Sequence, residues 1–224
     1  FPYTTLFRSG MTCTAGLDFS LTTDFVVAGL LFLFGGKYYW LSHTWVCKKC
    51  NDLKRIKAPL EEWASEEGGK LLTFVDDVEV TPDIPAEWLA KMGQKYNITS
   101  LGMDLYRYGV LKRALNEVGF DVEKDGANNI KIIRPSNQMF VAPTVNSLFV
   151  NHNIVYGNSP LMRWYTNNVS KKPEAHDNVS YSKIEPKSRK TDGFMAFIGA
   201  MAAGGIDLID SGDVVELDLP CYAY

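Results

Sequence analysis

The chain has 224 residues, 46% of them hydrophobic and 22% charged, with a formal net charge of −3. That composition is ordinary for a folded globular protein and excludes a collagen-like, low-complexity or disordered chain. Four cysteines in a chain this long do not make a disulfide scaffold, and the longest apolar run, Phe25 to Phe34, is about half of what a membrane-spanning helix needs.

Phe1 to Ser9 matches the translation of a common sequencing-adaptor oligonucleotide, so residues 1–10 read as an assembly scar. The natural protein is then expected to extend further in the N-terminal direction. Thr14 to Ser20 reads as a strand that carries Asp18. Asp24 to Phe34 and Lys37 to Val46 are apolar, aromatic and β-branched runs around Gly35-Gly36, a hairpin pattern. His43, Cys47 and Cys50 have zinc-like spacing but supply three ligands where a structural site takes four, so this segment is expected to be a polar loop after a strand.

Pro59 to Gly69 reads as a helix, Leu71 to Val80 as a strand, and Ile84 to Tyr96 as a helix with proline in its first turn. Ile98 to Met103 is a short apolar strand, after which Asp104 opens an amphipathic helix from Leu105 to Val118, closed by Gly119. One or two strands are expected between Phe120 and Ile133, turning at Asp125-Gly126. Pro135 to Asn151 reads as a helix, Ile154 to Tyr156 as a strand, Pro160 to Asn168 as a short helix, and Lys171 to Lys190 as a polar loop or hairpin. Thr191 to Ala203 is an apolar helix stopped by Gly204-Gly205, and 205–224 is an acidic tail. Antiparallel strands followed by strand–helix–strand units predict one mixed α/β domain over 11–204, its central sheet flanked by helices. The two Gly-Gly-Lys sites run into Tyr38 and Leu71 instead of Ser or Thr and lack the upstream glycine, so neither is a phosphate-binding loop.

Three aspartates occupy comparable places: Asp18 in the first strand, Asp104 at the end of a central strand, Asp192 at the start of the last helix. If those two strands are neighbours, Asp18 and Asp104 face each other and the helix start brings Asp192 beside them. Clustered carboxylates repel one another unless a cation lies between them, and hard ions such as Mg2+ or Mn2+ suit such oxygen ligands. Two ions about 4 Å apart would activate a water and stabilise the leaving oxygen of a phosphodiester. Taken singly, each aspartate has a plainer role. Asp104 and Asp192 are good helix N-caps, and Asp18 suits the surface of a half-exposed strand.

The segments around these aspartates resemble the nuclease domain of the large terminase subunit of tailed bacteriophages. The first block is Gly16-Leu17-Asp18-Phe19-Ser20 with Thr23-Asp24-Phe25, and the second is Leu101-Gly102-Met103-Asp104-Leu105-Tyr106. The third is Tyr156-Gly157-Asn158-Ser159-Pro160-Leu161 with Trp164, Asn167 and Asn168, and the last is Ser188-Arg189-Lys190-Thr191-Asp192-Gly193 with Ala196. They follow the family's order from Met11 to Met201. The resemblance implies an RNase H-like fold and a metal-dependent endonuclease that cuts concatemeric double-stranded DNA during packaging. Asp18, Asp104 and Asp192 match its metal-binding and catalytic acidic residues, for two Mg2+ or Mn2+ ions, and Asp24 matches a further acidic position. For the intact protein it implies a preceding ATPase domain, the portal protein and the small terminase subunit as partners, in the host cytoplasm and away from membrane. Tyr156 stands where many relatives carry a histidine, so no histidine role carries over.

A net charge of −3 is low for a DNA enzyme, but affinity for phosphates depends on local charge. Lys183, Lys187, Arg189 and Lys190 run into Asp192 and, with Arg163 and Asn167, are the expected DNA contacts, whereas Trp164 suits the core. Two other readings stay open: a non-catalytic docking module that binds DNA or the portal, and an RNase H-like resolvase or integrase core.

Overall fold

Three apolar runs build the centre of the sheet, two of them joined by the tight Gly35-Gly36 turn, where both glycines take positive φ (57° and 72°). β1 (Thr12–Asp18), β2 (Val26–Phe34) and β3 (Lys37–Cys47) pair antiparallel, from Thr14–Leu31 to Asp18–Val27 and from Val26–Trp45 to Phe34–Lys37. The computed structural model describes residues 8–20, 25–50, 52–77, 79–122 and 129–210. On the far side of β1 the sheet continues in parallel with β5 (Asn97–Met103) and then β6 (Ile130–Ile132). On the outer edge of β3 lie β4 (Leu72–Val75) and β7 (Ile154–Val155), giving the order β4-β3-β2-β1-β5-β6 with β7 beside the start of β3.

Both faces of the sheet are covered. Cys13, Ala15 and Leu17 of β1 share a core with Leu101 and Met103, under α2 (Asp83–Gly93) and α3 (Leu105–Glu117). Val27, Leu31 and Trp40 point to the other face, beneath α6 (Asp192–Ala202), which α1 (Leu60–Ala64), α4 (Pro135–Val150) and α5 (Pro160–Asn167) surround. This is the expected mixed sheet flanked by helices. None of the described helices is long and apolar enough to cross a membrane.

Several elements are shorter than their sequence pattern. β4 covers four residues of the expected Leu71–Val80 because β3 offers it only Thr44 to Cys47, the start of β3 being taken by β7. α1 stops at Ala64, and the chain then turns back so closely that a Cβ on Gly68 would lie 1.8 Å from the Glu62 carbonyl oxygen. The polar Lys171–Lys190 stretch includes most of a hairpin, β8 (Val169–Pro173) with β9 (Val179–Lys183), apart from the main sheet. His43 and Cys47 lie inside β3 and not in a loop. The His43 ring meets the Thr73 hydroxyl at 2.9 Å and the Cys47 thiol donates to the Asp77 carbonyl at 2.8 Å. Asp24 and the Asp125-Gly126 turn fall outside the described residues.

Candidate active site

The site is set by how closely α6 lies on the sheet. A Cβ on Gly16 would fall 1.8 Å from the Ala196 carbonyl oxygen, and one on Gly102 would fall 2.0 Å from that of Gly199. Beside these contacts Thr14 Oγ1 donates to Ala200 O (3.1 Å) and Ser100 Oγ to Ala203 O (2.7 Å). A step from Thr14 to Gly16 thus matches a step back from Ala200 to Ala196. Two strand residues advance about 6.6 Å and four helical residues about 6 Å, so the match holds for one step more. That step carries the start of α6, with Asp192, over the end of β1, with Asp18.

Strand alternation then fixes the faces. Asp18 shares the α6 face with Thr14 and Gly16, and Asp104 shares it with Ser100 and Gly102. β1 and β5 are parallel, Leu17 opposite Met103, and Asp18 and Asp104 are the next residue on each. All three carboxylates therefore stand at one end of two neighbouring parallel strands and the helix lying on them.

Their settings differ. Asp192 is 2% exposed and already helical; Thr191 precedes it as N-cap without a side-chain cap bond, so the plainer role of Asp192 as the cap of α6 does not apply. Its Oδ1 lies 3.7 Å from Lys183 Nζ. Asp104 is exposed and is a true N-cap, its Oδ1 accepting from the Tyr106 amide at 2.6 Å. Asp18 is half-buried at the end of β1. Among the described residues no three His, Cys, Asp or Glu side chains stand together as a ready cage for an ion, since Asp104 is turned to the α3 backbone and Asp192 faces a lysine. In chemistry the donors fit a hard divalent cation: three carboxylates brought to one end of the sheet, with no thiolate or imidazole in the set.

Sequence reasoning missed Tyr165. It is fully buried on α5, its hydroxyl 3.2 Å from Thr44 Oγ1. Burial first, then the charge of Asp192 and, more weakly, that of Asp18, push its phenol well above the usual value, against the lowering effect of the Thr44 hydrogen bond. The ring fills the space over Gly193, the second residue of α6, where a Cβ would lie 2.3 Å from it, so a glycine suits this position. The signal available in sequence was the residue's place between Trp164 and Asn167 in the third block of resemblance.

The basic segment divides. Lys190 is 1% exposed, its Nζ 3.6 Å from Asp52 Oδ2, and its carbonyl accepts from the buried Asn168 amide at 2.9 Å. Lys183 is aimed at Asp192. Burial of the Lys190 ammonium corrects its expected role as a surface phosphate contact, while the Lys183 side chain stays 24% exposed. Lys187 and Arg189 are exposed, Arg189 Nε lying 3.9 Å from Glu185. On α5, Arg163 is exposed and donates to Asn158 Oδ1 at 2.6 Å, Asn167 is exposed, and half-buried Trp164 packs on Phe25 with ring centroids 6.2 Å apart.

A mixed sheet in the order β4-β3-β2-β1-β5-β6, flanked by helices on both faces, is an RNase H-like fold. Among solved structures the likeness is to phage terminases. On the HK97 bacteriophage large terminase the TM-score is 0.73 at 19% identity, over 88% of this chain and 40% of that one, so the chain spans less than half of that protein's length. On the large terminase nuclease from thermophilic phage G20c the TM-score is 0.56 at 12% identity, over 87% of this chain and 85% of that one. The same nuclease solved with bound magnesium gives 0.53 at 12% identity, over 86% and 83%. No family model and no curated protein matches the sequence.

Proposed function

We propose that this chain is the nuclease domain of a viral DNA-packaging terminase, an endonuclease that hydrolyses the backbone of concatemeric double-stranded DNA with Mg2+ or Mn2+, two ions. The observation that best supports this is the placement of Asp18, Asp104 and Asp192 at one end of β1, β5 and α6, by pairing register and by the close α6 contact. These carboxylates would hold the metal, which when bound supplies a Lewis acid for the phosphodiester and a nucleophile from water.

The chain's own residues do the rest. The Gly16 and Gly102 contacts fix α6 and with it Asp192, while the buried Tyr165 ring packs over Gly193, the next residue. Asp104 stands exposed at the start of α3, where it can reach solvent-borne ligands. Lys187, Arg189, Arg163 and Asn167 are the proposed phosphate contacts, because phosphate contacts position a duplex without reading its sequence. In the intact protein the domain would work with an ATPase domain, the portal protein and the small terminase subunit in the host cytoplasm.

Asp192→Asn tests the assignment. The amide keeps the shape and removes a full charge from a divalent-ion site. Plasmid nicking with Mn2+ should fall at least a hundredfold against wild type in the same assay, while the chelator melting temperature moves by only a few degrees. Nicking at the wild-type rate would overturn the assignment.

A further inference from the structure

We propose that Lys183 is a resident cation of this site: its ammonium neutralises Asp192 when no divalent ion is bound, and a metal must compete with it. The inference rests on the metal chemistry proposed above and concerns a residue whose charge, in the sequence, reads as a DNA contact.

The hairpin delivers this lysine by design of its packing. Two residues before Lys183, on the same side of β9, Tyr181 sets its ring edge-on to Phe194 of α6, with centroids 4.9 Å apart. Its hydroxyl reaches Asn146 Oδ1 at 3.3 Å and Ala142 O at 3.4 Å on α4. The end of β9 is thereby pinned beside the first turn of α6, and Lys183 Nζ comes to 3.7 Å from Asp192 Oδ1.

The two partners are unequal. The Asp192 side chain is 3% exposed and the Lys183 side chain 24% exposed. A carboxylate so deeply buried needs a counter-charge, since an uncompensated one is strongly destabilising. The lysine reaches in from the rim on a flexible four-carbon stem, holds at a charge contact longer than a hydrogen bond, and can withdraw toward solvent. Lys190 makes the contrast: at 1% exposure, with its ammonium 3.6 Å from Asp52 Oδ2, it has no open path to solvent. Two lysines of one basic stretch thus serve different ends, one locked and one displaceable. With Asp18, Asp104 and Asp192 ionised, Lys183 leaves a net charge near −2, which a single divalent ion balances. A second ion must then meet the ammonium's repulsion.

The test is Mn2+ binding to the DNA-free protein, measured by isothermal titration for wild type and for Lys183→Met and Lys183→Gln. Removing a unit charge about 4 Å from a ligand oxygen should tighten Mn2+ binding about tenfold or more. Lys183→Arg, which keeps the charge, should stay near wild type. In an Asp192→Asn background the Lys183→Met change should tighten Mn2+ binding by less than it does in the wild-type background. Melting in chelator should be lower for Lys183→Met than for wild type, and the variant should gain more from added Mn2+. Equal or weaker Mn2+ binding by folded Lys183→Met or Lys183→Gln, with wild type binding the ion, overturns the role of Lys183 and leaves the metal chemistry standing. Failure of every form to bind Mn2+, wild type included, overturns both.

Discussion

Gly16→Ala places one methyl group where α6 meets β1. The new Cβ would lie 1.8 Å from the Ala196 carbonyl oxygen and 2.8 Å from the Ala200 amide nitrogen, where contacts under 3.0 Å essentially never occur. Both clashing groups are helix backbone, so no side-chain rotation relieves them, and α6 must retreat by at least 1.2 Å, the difference between 3.0 and 1.8 Å. Overpacking of a tight core costs about 1–3 kcal/mol, and here the upper end applies because the helix is also tied by the Thr14 and Ser100 hydrogen bonds. For a chain of this size about 3 kcal/mol corresponds to a melting temperature lower by roughly 6–12 °C. Gly109→Ala is the control: it sits within α3 with nothing inside 4 Å of the added Cβ, so it should be neutral or stabilising by up to about 1 kcal/mol. The assay is differential scanning fluorimetry in chelator, followed by nicking at a temperature where Gly16→Ala remains folded. The folded variant should nick more slowly, because a displaced α6 carries Asp192 away from Asp18. A Gly16→Ala protein that melts within a degree of wild type would refute the close packing from which the site's geometry follows.

The double variant Lys187→Ala with Arg189→Ala removes exposed charges and leaves buried Lys190 in place. It should weaken DNA binding for all sequences alike and flatten the salt dependence by up to about two phosphate contacts, as read by fluorescence anisotropy across a salt series. An unchanged slope would return this stretch to a solvated loop. His43 gives a pH dependence, its ring pushed down to about 4 by burial, while an unfolded histidine titrates near 6.5. Between those values the unfolded chain binds the extra proton, so the contribution of His43 is complete above about pH 6.5 and is lost as pH falls toward 4. Allowing for its partial exposure, this is on the order of 2 kcal/mol. Urea unfolding at pH 7 and 4.5 should show wild type losing that much more than His43→Gln, and equal losses would mean a hydrated ring.

The carboxylates were legible because strand ends and helix starts leave local marks: an apolar run that stops, or a glycine-bounded run that begins. Their neighbourhood was not, since the pairing of β1 with β5 joins residues more than eighty positions apart. The lysines show the same divide. A run of positive charge reads alike whether a side chain faces water, as Lys187 does, or an aspartate, as Lys190 does, because tertiary contacts such as that with Asp52 distinguish them. The last helix, expected from Thr191 to Ala203, runs from Asp192 to Ala202, the usual margin of error at a helix end. Tyr165 was hidden for another reason. An aromatic on a short amphipathic helix is ordinary core, and what singles it out is the pair of carboxylates whose charge reaches its hydroxyl. The small residues of α6 carried a signal of close approach, but which strands they would meet depends on the whole sheet order.

The three carboxylates are held by different forces, and that decides which of them can adjust. Asp192 is buried under packed backbone, and moving it means moving α6 against Gly16 and Gly102. Asp18 is the last residue of a strand paired on both sides. Asp104 alone is exposed, its described hold being one hydrogen bond from the Tyr106 amide to Oδ1. An N-cap of this kind stabilises by about 1 kcal/mol, and a carboxylate has a second oxygen, so ligation does not require the cap to break. In the proposed site Asp18 and Asp192 would thus be held by packing, and Asp104 by its cap bond alone. The costly placement of the two packed carboxylates is made on folding, which leaves the exposed Asp104 side chain and the Lys183 ammonium as the parts able to adjust.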